Sequence, residues 1–205
     1  MFYLDRNLLD VGQYIIGCAL DGQKYSFECT TNCIPIGTVD FCEDLMVQPP
    51  KPDYYPKFLS KFITRDIQLI SDYTNLVGYI KPATKYKLFE TYFGDCSKVR
   101  GPVWVNQPIR IINEYRFYII KGEIWDAFWY AGKDENAPVP RLDFNWPKTY
   151  YGAVDFAVTP TGLELLEAHH PYAVGWYGKD YRRALKFLEA GWKYMVDIGC
   201  VNGKF

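Results

Sequence analysis

The strongest constraint on the fold of this chain is a local one: the run Tyr151 to Val158, the tetrapeptide Thr159-Pro160-Thr161-Gly162, and the run Leu163 to Ala168. Proline presets φ early in a turn and glycine accepts φ values closed to other residues, so these four residues read as a tight reversal between two paired antiparallel strands. Such a hairpin brings residues near its two far ends side by side, and Asp155 and Glu167 are therefore expected to face one point on one side of the sheet. Two carboxylates there repel unless a cation lies between them. Mg²⁺ suits the position, because one or two carboxylates and nucleotide phosphates commonly complete its octahedron. Without a cation, removing either carboxylate should relieve repulsion and stabilise the protein. Spacing alone leaves open the alternative of a pair of solvated strand charges.

With 205 residues, 49% of them hydrophobic, the chain is long enough for one domain or two small lobes sharing a cleft. Its 24 acidic and 23 basic residues nearly balance and form no long run, which argues against a general electrostatic grip on nucleic acid or an anionic membrane. Any anionic ligand must be held locally. No apolar stretch approaches the ~20 residues that span a bilayer, so a cytoplasmic protein without a membrane partner is expected. The six cysteines are scattered and no secretory leader precedes them, which points to reduced thiols; Cys29, Cys33 and Cys42 lack paired C-x-x-C spacing and read as packing residues.

Before the hairpin, the first stretch reads as a small sheet with a strand at Tyr14 to Leu20 and turns at Asp21-Gly22 and Thr31-Asn32, then a short helix at Thr38 to Leu45 capped by Thr38. Gln48-Pro49-Pro50-Lys51-Pro52-Asp53 can continue neither helix nor central strand and marks a joint. A helix at Tyr54 to Phe62 is expected next, then strands at Leu76 to Pro82, Lys87 to Phe93, Val103 to Val105 and Ile111 to Ile120. The last of these turns through Lys121-Gly122 into Glu123 to Ala131. Residues Lys133 to Pro147 read as an exposed loop, and Lys179 to Val196 as an amphipathic helix.

Three further blocks carry chemistry. Lys81, Lys85 and Lys87 flank a Pro-containing turn and could neutralise phosphate oxygens from two sides, or merely solubilise an edge strand. Val105-Asn106-Gln107-Pro108-Ile109 breaks a strand, and Glu114-Tyr115-Arg116 places an acid and a base on one face of the next, where an ordinary surface ion pair is the plain alternative. In order and spacing these blocks and the Asp155–Glu167 hairpin resemble the ATP-grasp ligases, in particular a clade of small stand-alone ATP-grasp proteins. The resemblance covers about Lys57 to Gly178, including the Val174-Gly175-Trp176-Tyr177-Gly178 stretch.

The resemblance implies an α+β, two-lobed ATP-grasp fold with a nucleotide cleft between antiparallel sheets. It implies a reduced N-terminal subdomain over 1–48 and an ATP-grasp domain over 49–205, with lobes of about 49–107 and 108–205. It implies that Lys81, Lys87 and Arg116 bind phosphates, with Lys87 and Arg116 catalytic. By the same resemblance the backbone of Asn106, Gln107 and Ile109 reads adenine, Glu114 binds ribose, and Asp155, Glu167 and His169 hold the metal. His169 stands where the family has Asn, and Ala153 where many members have Arg, so Arg116, Lys133, Arg141 and Lys148 become candidates for the missing charge. The implied activity is ATP-dependent ligation of a carboxylate to an amine through an acylphosphate. ATP and Mg²⁺, with Mn²⁺ as a substitute, are the implied cofactors, and the substrate is an amino acid, peptide or protein. A binding module that has lost ligase chemistry, or a kinase on the same fold, is the alternative.

Overall fold

The structure, a computed structural model, describes residues 1–5, 25–27, 33–71, 75–84 and 89–202. Strands β1 (Phe2–Leu4), β2 (Tyr25–Ser26) and β3 (Ile34–Ile36) form a parallel sheet in the order β2-β1-β3. Helix α1 (Val39–Glu43) follows, and the Thr38 hydroxyl accepts the Phe41 amide at 3.3 Å, the expected cap. The strand and turns expected at Tyr14 to Leu20, Asp21-Gly22 and Thr31-Asn32 lie outside the described residues, as do Cys18, Cys29, Lys85, Lys87 and Leu88. Cys33 and Cys42 are buried in the core, and burial pushes the Cys42 thiol well above its usual range, as inert packing cysteines require.

After the Pro-rich joint, the expected helix shrinks to a 3-10 turn over Lys57–Phe62. Pro56 explains the late start, because a residue before proline is driven out of the helical region. Strands β4 (Ile67–Ile70), β5 (Val77–Pro82), β6 (Tyr92–Asp95) and β7 (Val103–Asn106) then form an antiparallel sheet in the order β4-β7-β5-β6. β4 is an addition to the expected strands: it is an edge strand held by β7 along one side. The strand expected at Lys87 to Phe93 is observed later, starting where Tyr92 pairs with Ile80. This sheet has a small core of Ile80, Cys96, Val103 and Val105.

The second four-stranded sheet is larger. β8 (Asn113–Ile120), β9 (Glu123–Gly132), β10 (Gly152–Thr159) and β11 (Gly162–His169) run antiparallel in the order β11-β10-β8-β9. Lys121 and Gly122 both take positive φ, 52° and 68°, the pattern of a two-residue hairpin turn. A Cβ on residue 122 would meet the Pro147 carbonyl oxygen at 2.5 Å, so glycine is required there twice over. Helix α2 (Tyr181–Asp197) begins at Asp180, whose carboxylate caps the Arg182 and Arg183 amides, and buries Leu185, Leu188, Trp192 and Met195.

Both faces of this sheet are covered. One face packs Tyr118 and Ala153 under α2, α1 and the N-terminal strands; the other packs Phe117, Val154, Phe156 and Leu165. The loop over 133–147, expected to be exposed, supplies Leu142 and Trp146 to that second face, at 9% and 7% exposure. The apolar face has to be shielded from water, and here an irregular segment does it.

Candidate functional site

The two-residue turn between β10 and β11 starts the pairing as Thr159 with Gly162, and the register holds through Phe156 opposite Leu165. It then slips, so that Asp155 stands opposite Glu167 and Leu166 has no partner. This is a β-bulge. In an unbroken register Leu166 would oppose Asp155, and Glu167 would point to the other face. The bulge therefore delivers Glu167 to the side of the sheet that carries Asp155. One rung of the ladder now reads Phe128, Arg116, Asp155, Glu167 across the four strands.

Asp155 is 1% exposed and accepts two hydrogen bonds from the Arg116 guanidinium, each 2.7 Å long. His169 Nε2 lies 3.2 Å from Asp155 Oδ2, 3.1 Å from Arg116 Nη2 and 3.5 Å from Glu167 Oε1. Glu167 forms an ion pair with Lys81, reaching across from β5. One ligand atom from each of Asp155, Glu167 and His169 lies within 4.8 Å of the others.

Burial alone would raise the Asp155 carboxyl. The bonds from Arg116 and His169 outweigh it and hold the group at about 2. Burial lowers the His169 imidazole, and Arg116 and Lys81 add to that against the opposing pull of Asp155, which favours the neutral ring. Burial opposes the charge on Arg116, yet its bond to Asp155 prevails and raises the guanidinium further.

Between the two four-stranded sheets lies a cleft of about 390 Å³. Of the residues expected to bind nucleotide, Lys81, Asn106, Gln107, Ile109 and Glu114 line it, with Glu167 from the carboxylate pair. Arg116 sits beyond the lining on Asp155 and lies against the rings of Tyr130 and Tyr177, which stack on each other 5.0 Å apart. Glu114 makes no ion pair with Arg116 among the described contacts; its Oε2 accepts the Tyr130 hydroxyl at 2.6 Å. Burial, with Asp155 and Glu114 nearby, pushes that phenol well up, so it remains a donor.

The hinge, the segment Val105-Asn106-Gln107-Pro108-Ile109 leading from the end of β7 toward β8, is anchored. The Gln107 amide donates to the Asp66 carbonyl at 2.9 Å, and Asn106 Oδ1 accepts the Tyr55 hydroxyl at 3.0 Å and Arg65 Nη2 at 3.3 Å. Among the other candidates for a phosphate-side charge, Lys148 pairs instead with Glu123 beside the β8–β9 turn, and Lys133 and Arg141 are exposed. Arg116 is the candidate that joins the carboxylates.

Four residues of this region are not among the ligand contacts expected from sequence: Tyr55, Arg65, Tyr130 and Tyr177. Arg65 donates to Glu164 Oε1 at 2.7 Å and to the Leu165 carbonyl at 2.6 Å. Strict alternation puts Glu164 and Glu167 on opposite faces, and only the bulge brings both to the cleft side. Tyr130 has a usable signal, since it lies on the strand that pairs with the one carrying Glu114; Arg65 has none nearby.

A family model described as an ATP-grasp domain, family 2 of its clade, matches residues 67–187. The match runs from β4 into α2 and spans Lys81, Lys87, the hinge, Glu114, Arg116 and the hairpin carrying Asp155, Glu167 and His169. No curated protein matches the chain.

Proposed function

The chain belongs to this family of ATP-grasp domains, within a superfamily of ATP-dependent, ligase-type function, and on that premise we propose that it is a ligase joining a carboxylate to an amine through an acylphosphate. The observation that carries this reading is a cleft lined by Lys81, Gln107, Ile109 and Glu114 that ends on Glu167, the outermost member of a triad whose ligand atoms lie within 4.8 Å. An amino acid, peptide or protein is the substrate class we favour.

The donor set fits Mg²⁺: two carboxylates, with one imidazole nitrogen that also admits Mn²⁺. Asp155, Glu167 and His169 would hold the ion, and its chemistry when bound is neutralisation of charge on the phosphate oxygens. Lys81 is paired with Glu167 in the structure and would exchange that carboxylate for phosphate oxygens, with Lys87, between β5 and β6 in sequence, as the second cation. Arg116, oriented by Asp155 and the two tyrosines, would face the transferring group. Because the Gln107 amide is already engaged by Asp66, adenine would be read by the Gln107 carbonyl and the Ile109 amide. Glu114, held by Tyr130, would accept a ribose hydroxyl.

The residues align reactants and supply charge, which is most of what phosphoryl transfer asks of a protein. A substrate carboxylate oxygen attacks the γ-phosphorus and ADP leaves. The amine nitrogen then attacks the acyl carbon and phosphate leaves. The test is incubation with Mg-ATP and pooled amino acids and peptides, with and without hydroxylamine. ADP release that depends on a carboxylate, with hydroxamate formed in the trap, supports the ligase. A stable phosphorylated product assigns a kinase. Nucleotide binding without turnover assigns a binding module, a reading favoured by the bidentate Arg116 clamp that already occupies Asp155.

A further inference from the structure

A second cavity, of about 280 Å³, opens on the other side of His169, where the end of β11 meets α1, the joint at Pro52 to Phe58, and Tyr150-Tyr151. His169 is common to this wall and to the carboxylate triad. Tyr54 forms the partition: it lines the cavity, and the Lys81 ammonium lies 4.5 Å from its ring centroid. The rest of the wall carries four aromatic rings, Phe58, Tyr150, Tyr151 and Tyr172, together with the His170 imidazole and aliphatic side chains, and it includes two carboxylates, Glu43 and Asp53, with no lysine or arginine among the described lining residues.

Resting on the ligase reading, we infer that this cavity receives the amine acceptor, entering as a primary ammonium carried on a compact apolar or aromatic body.

The first reason is the division of charge on either side of His169. On the nucleotide side the carboxylates come with cations, Lys81 on Glu167 and Arg116 on Asp155; on the cavity side the charged side chains among the described lining residues are Glu43 and Asp53. A carboxylate substrate is repelled by that wall and an ammonium is attracted to it. The second reason is the chemistry of the wall. Faces of tyrosine and phenylalanine attract a cation and at the same time accept an apolar body, which is the combination by which amines are recognised. Glu43, 5% exposed, is oriented by the Tyr172 hydroxyl at 3.0 Å, whereas Asp53 is exposed and its charge reaches Tyr150. The third reason is size: the volume suits a small molecule or the terminal residue of a chain, below the usual range for drug-sized pockets of about 300–1,000 Å³.

The reaction balances with this placement. The ammonium gives up a proton, its nitrogen forms a C–N bond to the acyl carbon, and the C–O bond to phosphate breaks. The leaving phosphate takes one proton and one passes to solvent.

The test is calorimetric titration of the full chain with three probes sharing one body: 2-phenylethylamine, 2-phenylethanol and 3-phenylpropionate. Mg-ATP is titrated separately. The amine should bind about tenfold more tightly than the alcohol, a difference of the size a desolvated cation–π contact supplies, and the carboxylate most weakly of the three. Asp53 is exposed and outside the nucleotide cleft, so its variants fold and keep Mg-ATP affinity. Asp53→Asn should weaken amine binding about threefold, and Asp53→Lys should weaken it further. Equal affinity for amine and alcohol, or amine affinity indifferent to Asp53→Lys, would overturn the inference with Mg-ATP binding intact. Amine-selective binding by a protein that fails to bind Mg-ATP would instead overturn the ligase reading, and the acceptor role with it.

Discussion

Two buried arginine–carboxylate pairs flank the cleft, and they are built for different purposes. Arg65 and Glu164 meet at 2.7 Å, as do Arg116 and Asp155. Glu164 is also gripped by the Thr64 amide at 2.9 Å, the Thr64 hydroxyl at 2.6 Å and the Arg65 amide at 3.3 Å, so the backbone itself holds it. Its lone pairs are committed to one short segment, which ties the chain entering β4 to β11. Among the described side-chain contacts, Asp155 receives Arg116 and His169, both of which can turn away, and it stands beside a second carboxylate. A carboxylate saturated by main-chain donors is a latch. One held by side chains can exchange partners, and exchange is what binding requires.

The largest effect that separates them is on turnover. Asp155→Asn should lower Mg-dependent ADP release by at least about 100-fold, whereas Glu164→Gln should leave kcat within about threefold once the folded fraction is accounted for. Equal losses would mean the latch is part of the machinery.

Stability should divide them the other way. Arg65→Met strands Glu164 as an uncompensated buried charge and should cost about 3–5 kcal/mol in urea unfolding. Arg116→Met should cost less, since His169 beside Asp155 can take up a proton. The same geometry reverses an expectation drawn from sequence. Repulsion between Asp155 and Glu167 alone would make loss of either stabilising, but Arg116 and Lys81 are already their counter-ions, so Asp155→Asn should destabilise.

Acid titration sharpens the contrast. Burial would raise Glu164, but the bonds from Thr64 and Arg65 prevail and lower it. A depressed carboxyl stabilises the fold above its unfolded value, here 4.5, and that contribution disappears as pH falls toward the folded value. Asp155 does the same over a lower window, from 3.8 to about 2, with on the order of 2 kcal/mol at stake. Thermal melts between pH 6 and pH 3 should therefore show a flatter acid limb in Glu164→Gln than in the wild type.

The nucleotide effect of Glu114→Gln should reach at most about 1.5–3 kcal/mol, the value of one charge-assisted hydrogen bond. ATP should lose more than its 2′-deoxy analogue in calorimetric titration. Equal losses would detach Glu114 from the ribose. Least of all, His169→Asn should retain turnover with Mg²⁺ and lose ground with Mn²⁺, since an amide oxygen suits the first and imidazole the second.

What can be read from sequence is what a few neighbouring residues decide. The reversals at Lys121-Gly122 and Thr159 to Gly162 follow from turn chemistry, α2 from its apolar stripe, and the order of motifs leads to the family. What cannot be read depends on partners far along the chain. Arg65 finds Glu164 99 positions away, β4 exists because β7 offers an edge, and Leu142 and Trp146 are buried because a sheet face elsewhere needs a cover. The family resemblance makes Lys81 a phosphate ligand; that its counter-ion is Glu167 on the opposing sheet depends on how the two sheets approach. The alignment of Asp155 with Glu167 is expected from hairpin geometry, yet simple alternation would fail to produce it.

That last point makes residue 166 a matter of arithmetic more than chemistry. Leucine there lines the cleft, and another side chain of similar bulk would serve. As a link, however, it is slack: the ladder on either side closes without it. A chain lacking Leu166 could pair Leu165 with Phe156 and Glu167 with Asp155 in one unbroken register, giving up only the local twist that an extra residue imposes. A chain lacking Leu165 as well has no slack left. Glu167 then falls opposite Phe156 and turns to the other face, and Ala168 takes the place beside Asp155. The end of β11 can therefore absorb the loss of one codon and not of two, and the second loss would empty the site of a carboxylate that is still present in the chain.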